Sequence, residues 1–269
     1  MTYLRISSRQ NKRIKQFRRA GDHRLPGTIF IEGTKLAEEA LRCGLQGYNF
    51  VVSDSFLKKG ETGILDELQA SGMEGIQIPD WLMAELSVVK TPPGLIVLVQ
   101  RSESDSGPLP AESTFIVIAH QIQDPGNMGT ILRSAEAAGV HAVIVTRNGA
   151  DPFSPKGLRG SMGAALRLPI WYGPTFSQAI AACHERGIKV YAASPRSDTS
   201  FWDHDWSAPS ALLLGSEGSG LSDVELELAD GEITIPMAGR CESLNVGAAA
   251  TALMFAVARQ RSKGDGIEV

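Results

Sequence analysis

What this chain lacks narrows it quickly. Its longest apolar stretch, residues 248–258, falls well short of the roughly 20 residues that a membrane span needs. The N-terminus is polar and basic, without the apolar segment of a secretory leader. Only three cysteines occur, Cys43, Cys183 and Cys241. Their odd number and scatter argue against a disulfide framework and against a close-spaced metal site, so a reduced cytoplasmic setting is expected. The histidines (His23, His120, His141, His184 and His204) have no mutual spacing that would hold a metal, and each is expected to be structural or on the surface. Neither a G-x-G-x-x-G fingerprint nor a G-x-x-x-x-G-K-[ST] phosphate loop is present. No G-x-S-x-G elbow surrounds Ser243, which disfavours a serine hydrolase. No internal repeat is visible.

What remains is a globular composition, 43% hydrophobic and 21% charged. At 269 residues the length suits about two domains. The net charge of −4 conceals a local excess: residues 1–24 carry eight basic side chains against Asp22, a net of +7 that leaves −11 for the rest. Within it, Arg9, Lys12, Arg13, Lys15, Arg18 and Arg19 are candidate contacts to a polyanion. A solvated basic face is the plainer alternative. A transit peptide is disfavoured, because this arm runs directly into the first expected strand.

Hydrophobic patterning predicts strands over 28–31, 49–52, 76–78 and 94–99, with helices over 34–42, 64–70 and 81–88. That alternation implies a small α/β domain with a largely parallel sheet, spanning residues 1–100. Residues 101–113, rich in Ser, Pro and mixed charge, read as a linker. From 114 to 269 strands are expected at 115–118, 142–145, 189–192, 211–214 and 232–235, and helices at 130–138, 177–186 and 221–229. The Gly/Ser/Pro-rich segment 149–163 reads as a functional loop. Asp203-His204-Asp205, between Trp202 and Trp206, is expected to be a packed surface turn.

Three polar or glycine-rich clusters directly follow apolar strands, which is where open α/β sheets bind ligands. The first is Asp124-Pro125-Gly126-Asn127-Met128-Gly129-Thr130, with Arg133 on the succeeding helix. Asn127 is expected to act from the loop, and the planar guanidinium of Arg133 suggests an anion. The second is Gly215-Ser216-Glu217-Gly218-Ser219-Gly220, where glycines let backbone approach a ligand. The third opens the stretch 235–261: a strand end stopped by Pro236, a polar loop, then a helix from about 246 to 261 with Ser243 and Asn245 at the junction. Alone, that last stretch fits an ordinary capped helix equally well.

Together the clusters resemble the three motifs of the SpoU (TrmH-like) branch of the SPOUT RNA methyltransferases. Asn127-x-Gly129-x-x-x-Arg133 resembles the first motif. Leu214-Gly215-Ser216-Glu217-Gly218 with Gly220-Leu221 resembles the second, and Ile235-Pro236-Met237 with Ser243-Leu244-Asn245-Val246 the third. They lie in family order and at family-like spacing. One departure is Gly247, where many relatives carry Ser. Residues 8–100 more loosely resemble the substrate-binding domain of these enzymes, which is related to ribosomal protein L30e.

The resemblance implies an α/β fold with a deep trefoil knot in the C-terminal domain, and methyl transfer from S-adenosylmethionine to a ribose 2′-hydroxyl of RNA. It implies cofactor contacts at Leu214, Gly215, Gly218, Ile235, Met237, Leu244 and Asn245. Asn127, Arg133, Glu217, Ser243 and Asn245 would form the catalytic and substrate-orienting set, with no metal, and a homodimer would complete the site. In relatives the arginine is proposed as the base. A guanidinium titrating above about 12 is better suited to clamp a phosphate and lower the 2′-hydroxyl pKa. The separate basic N-terminal domain favours ribosomal RNA as substrate; tRNA and a non-catalytic knotted RNA-binding factor are the alternatives.

Overall fold

The computed structural model describes residues 3–60, 63–101 and 109–265. The chain divides into two compact units, Met1–Ser102 with Phe153–Leu158, and Glu103–Pro152 with Arg159–Val269.

The first unit begins with β1 (Leu4–Arg5), α1 (Lys12–Gly21), β2 (Thr28–Glu32) and α2 (Thr34–Arg42). It continues through β3 (Gly47–Ser53), α3 (Asp54–Lys58), α4 (Gly63–Ala70), β4 (Glu74–Ile78), α5 (Asp80–Leu86) and β5 (Leu95–Gln100). The sheet order is β1-β4-β3-β5-β2. β1, β4 and β3 pair in parallel, whereas β5 runs antiparallel to both of its neighbours. The expected largely parallel sheet is therefore mixed. The run of five apolar residues in β5 suits its inner position, because Leu95 to Val99 are all buried.

The basic N-terminal segment is not an arm but a helix. Asn11 starts α1 by accepting the Arg13 N–H at 2.9 Å. Ile14, Phe17 and Ala20 then recur every third residue and pack into the core with Ile6, Leu82 and Met83. With only those apolar positions among so many charges, the periodicity was too sparse to announce a helix.

The second unit holds β6 (Phe115–Ala119), α6 (Pro125–Ala137), β7 (Ala142–Val145), the end of α7 (Pro155–Gly160, whose residues 155–158 belong to the first unit), α8 (Ala164–Arg167) and β8 (Ile170–Tyr172). It goes on with α9 (Phe176–His184), β9 (Lys189–Ala193), β10 (Ser210–Leu214), α10 (Asp223–Glu227), β11 (Gly231–Ile233) and α11 (Val246–Asp265). Its sheet, β11-β9-β10-β6-β7-β8, is parallel throughout. The wholly buried strands β6, β7 and β10 fit a sheet covered on both faces. Leu109, inside the stretch read as linker, is 4% exposed and packs in this core with Ile116, Val190 and Leu213. Residues 102–108 of that stretch lie outside the described residues. The supposed loop 149–163 contains α7.

From β6 the chain steps outward to β7 and β8, then returns on the other side through β9 to β10, beside β6. The strand order thus reverses between β6 and β10, and the crevice beyond their carboxyl ends is where an open α/β sheet takes a ligand. α11 packs against α6, where the Ser134 and Thr251 hydroxyls meet at 2.7 Å. Near its other end Arg261 donates to the carbonyls of Thr114, Trp206 and Ala208 at 2.9–3.1 Å. That guanidinium also lies 4.9 Å from the Phe115 ring centroid. α11 is therefore fastened at the amino ends of β6 and β10 as well as at the carboxyl side. In the 203–205 turn, Trp206 and His204 pack on Tyr191, while Trp202 stands 61% exposed.

Candidate active site

The helix following β6 starts earlier than the 130–138 expectation. Asp124 caps α6 by accepting the N–H groups of Gly126 and Asn127 at 2.7 and 2.9 Å, and Pro125 occupies the first turn, where its missing N–H costs nothing. Asn127 accordingly acts from the first helical turn and not from a loop. The Asp124-Pro125 pair was the signal that could have revealed this.

Glu217, midway along the glycine-rich loop after β10, accepts the N–H of Gln123 at 3.0 Å and of Asp124 at 3.1 Å, and the Asn127 Nδ2 at 3.0 Å. Partial burial alone would raise its pKa. The donors from Asn127, Gln123 and Asp124 outweigh that and hold the carboxyl below its ordinary range. Because Nδ2 of Asn127 serves Glu217, its Oδ1 faces the Asn245 Nδ2, at 3.0 Å. Asn245 Oδ1 in turn caps α11, accepting the N–H of Gly247 at 2.9 Å and of Ala248 at 3.3 Å. One hydrogen-bonded chain, Glu217–Asn127–Asn245, thus joins all three motifs and fixes the orientation of both amides.

Glycine permits the close approaches behind this chain. A Cβ on Gly129 would lie 2.6 Å from the Gly160 carbonyl carbon, and one on Gly215 would lie 2.6 Å from that of Gly220. At Gly247, the departure from the family pattern, a Cβ would stand 3.1 Å from Thr130 Cβ, so glycine lets α11 close on α6.

Arg133 and Ser243 are not drawn into the chain. Arg133 lies two turns along α6, exposed and without a hydrogen-bond or ion-pair partner among the described residues. It lines an open depression of about 320 Å³ with Thr130, Ser134, Ala137, Gly160 and the 47% exposed Phe255. Ser243 is exposed, and its carbonyl accepts the Cys241 thiol at 2.9 Å.

The residues expected around a cofactor divide by what they leave open. Leu214 is buried and its carbonyl accepts the His120 N–H at 2.8 Å, so its side chain is unavailable. Gly218 has no heavy atom within 4 Å of where a Cβ would sit. Ile235 is half-buried, while Met237 and Leu244 are 36% and 41% exposed. Among the described residues no amide of 237–244 donates a hydrogen bond within the chain. Unused backbone polar groups interleaved with exposed apolar side chains suit a ligand that is part heteroaromatic and part aliphatic, as S-adenosylmethionine is.

Of the six basic candidates in the first unit, half are occupied. Arg9 and Arg18 pair with Glu85, and Arg13 pairs with Glu74 at 2.7 Å. Lys12, Lys15 and Arg19, spaced at i, i+3 and i+7, form an exposed stripe with no acidic partner among the described residues.

The sequence profile of the SpoU rRNA Methylase family matches residues 114–255. The chain belongs to this family. A tRNA/rRNA methyltransferase of Synechocystis sp., itself described as uncharacterized, is 31% identical over 95% of this chain and 94% of its own. The 23S rRNA (guanosine(2553)-2′-O)-methyltransferase of Bacillus subtilis is 28% identical over 93% and 97%. The crystal structure of the SpoU methyltransferase AviRb from Streptomyces viridochromogenes in complex with AdoMet superposes with a TM-score of 0.83, at 28% identity over 94% of this chain and 100% of that one. As a SpoU protein the chain is an RNA methyltransferase, its cofactor is S-adenosylmethionine, and its fold is α/β. Among the described residues no helix is long and apolar enough to cross a membrane, and no cluster of His, Cys, Asp and Glu could hold a metal.

Proposed function

We propose that this protein methylates the 2′-oxygen of a ribose in ribosomal RNA, in the cytoplasm, as a homodimer with a knotted C-terminal domain. The observation that carries the proposal is the Glu217–Asn127–Asn245 chain, which ties three otherwise separate segments together beyond the β6/β10 reversal. S-adenosylmethionine, when bound, supplies a methyl group already activated on sulfur. Gly215, Gly218, Ile235, Met237 and Leu244 would hold it, through backbone groups and apolar contact.

The chain's own residues orient the acceptor. Arg133, exposed and with no counter-charge among the described residues, clamps the phosphate beside the target ribose and makes the 2′-hydroxyl proton easier to remove. With one N–H of Asn245 given to Asn127 and one of Asn127 given to Glu217, each amide keeps a second side-chain N–H, and the Ser243 hydroxyl at the same junction has no partner among the described residues. The knot reading is supported by the path of 234–245. β11 stands two strands from β10, yet the chain leaving it reaches Asn127 at the head of α6. The exposed Phe255, facing the Arg133 depression, supports a second subunit there. The stripe Lys12–Lys15–Arg19 supports an RNA-binding first domain.

Calorimetry with S-adenosylmethionine, followed by methyl transfer to ribosomal RNA and tRNA transcripts, tests the proposal. Cofactor binding with methylation of the ribosomal transcript is expected. No heat at millimolar cofactor would sink the enzyme reading, and methylation of tRNA alone would sink the ribosomal one.

A further inference from the structure

The methyltransferase reading leaves His120 unused. It is the first residue after β6, and 4% exposed. Its backbone N–H donates to the Leu214 carbonyl at 2.8 Å, where the glycine-rich loop begins. Its Nε2 lies 2.8 Å from Glu225 Oε1, and the other oxygen of Glu225 accepts the Ser222 N–H at 2.7 Å, where that loop ends and α10 starts. One residue therefore grips both ends of the segment 215–221. Glu217, in its middle, is held by the next residues along the same β6–α6 connection, Gln123, Asp124 and Asn127.

The network also fixes the proton positions. A carboxylate can only accept, so Nε2 of His120 carries a hydrogen toward Glu225. In the neutral ring Nδ1 then accepts from the Thr146 hydroxyl at 3.0 Å, and Thr146 Oγ1 takes the Gln121 N–H at 3.3 Å. Phe176 closes the side of the imidazole, with ring centroids 4.6 Å apart. At Glu225 burial pushes the pKa up, but the Ser222 amide and hydroxyl and the His120 hydrogen bond bring it below the ordinary value, so the carboxylate persists at neutral pH.

We propose that His120 is a positioning residue for the cofactor. Through Leu214 and Glu225 it sets the shape of the loop whose backbone meets S-adenosylmethionine, without touching the reacting atoms. This rests on the methyltransferase reading. A histidine serving stability alone would lower the melting temperature and leave cofactor affinity unchanged, and that difference makes the test.

Cofactor affinity by calorimetry, kcat on the RNA substrate at saturating cofactor, and melting temperature are measured for wild type, H120A, H120Q, E225A and H120A/E225A. Losing a hydrogen bond to a charged group predicts a rise in Kd of about tenfold for H120A and for E225A, with the double variant no worse than the weaker single one. H120Q keeps a donor toward Glu225 and should stay within about threefold of wild type. kcat should change by less than about twofold in every variant. If H120A fails to fold, T146V replaces it; it removes only the neutral hydrogen bond at Nδ1, so a rise in Kd of about fivefold is expected. A lowered melting temperature with unchanged Kd, or additive effects of H120A and E225A, would overturn the proposal. Absence of wild-type binding would overturn the methyltransferase reading itself, and this inference with it.

Discussion

Asn127→Asp changes one atom's identity and almost no volume, and it probes the chain that joins the three motifs. In the native protein Asn127 Nδ2 donates to Glu217 across 3.0 Å. The aspartate would lose that donor, worth about 1.5–3 kcal/mol against a charged acceptor. It would also set two carboxylates roughly 3 Å apart, a repulsion of about 1.4 kcal/mol in bulk water and about 5.5 kcal/mol at an effective dielectric of 20. Glu217 is exposed, so the aqueous figure applies. The sum, about 3–4 kcal/mol, corresponds to a few hundredfold in cofactor affinity, whereas Asn127→Ala should cost roughly thirtyfold. Acid separates the two variants. Paired like charges raise the folded-state pKa above the unfolded one, so the repulsion is present above that raised value and relieved as pH falls through it. A repulsion of about 1.4 kcal/mol raises the pKa by about one unit, so the aspartate variant should recover toward the alanine variant between about pH 8 and pH 4.5, mostly below about pH 6. Wild-type Glu217, held below its ordinary range, stays ionised over that interval and should show no such recovery. Calorimetric titration with S-adenosylmethionine at both pH values makes the measurement. Equal affinity of the two variants near pH 8 would refute the reasoning.

Gly215→Ala would place a methyl group 2.6 Å from backbone that cannot swing aside. An overpacking cost of about 1–3 kcal/mol should appear as a roughly 5- to 150-fold loss of cofactor affinity; a loss under about twofold would show that the loop can shift freely. Reversing Lys12, Lys15 and Arg19 to glutamate should flatten the salt dependence of RNA binding by about 2 in log–log slope. Reversing Arg13 and Arg18, already paired with Glu74 and Glu85, should flatten it less, and equal slopes would remove the distinction. Phe17→Ala, at a position with no solvent exposure, should destabilise the first unit by about 3–5 kcal/mol in urea unfolding. A much smaller loss would mean that α1 is not anchored as described.

Much of this was legible from residue patterns. The motif residues Asn127, Glu217 and Asn245 were named and meet in space, and helix 34–42 and strand 142–145 have the expected bounds. What escaped has definite physical causes. α1 and the start of α6 lacked dense apolar periodicity, because three core positions suffice for the first and a cap with proline begins the second. The antiparallel β5 looked like any buried strand, since an apolar run carries no sign of direction. His120 was passed over because its partners Thr146 and Glu225 are remote in sequence, and only the parallel sheet brings them to it. The division of the basic residues into paired and free sets depends on Glu74 and Glu85, which no local rule links to α1.

The position of Asn245 sets an order of events on the ribosome. A nascent chain that has emerged as far as Ile233 already contains every strand of the second sheet, but Asn127 still lacks its amide partner and α11 does not exist. The third motif therefore stays unlinked from the other two, which Glu217 can already join, until synthesis has passed through the last helix and Arg261 can fasten it near Thr114.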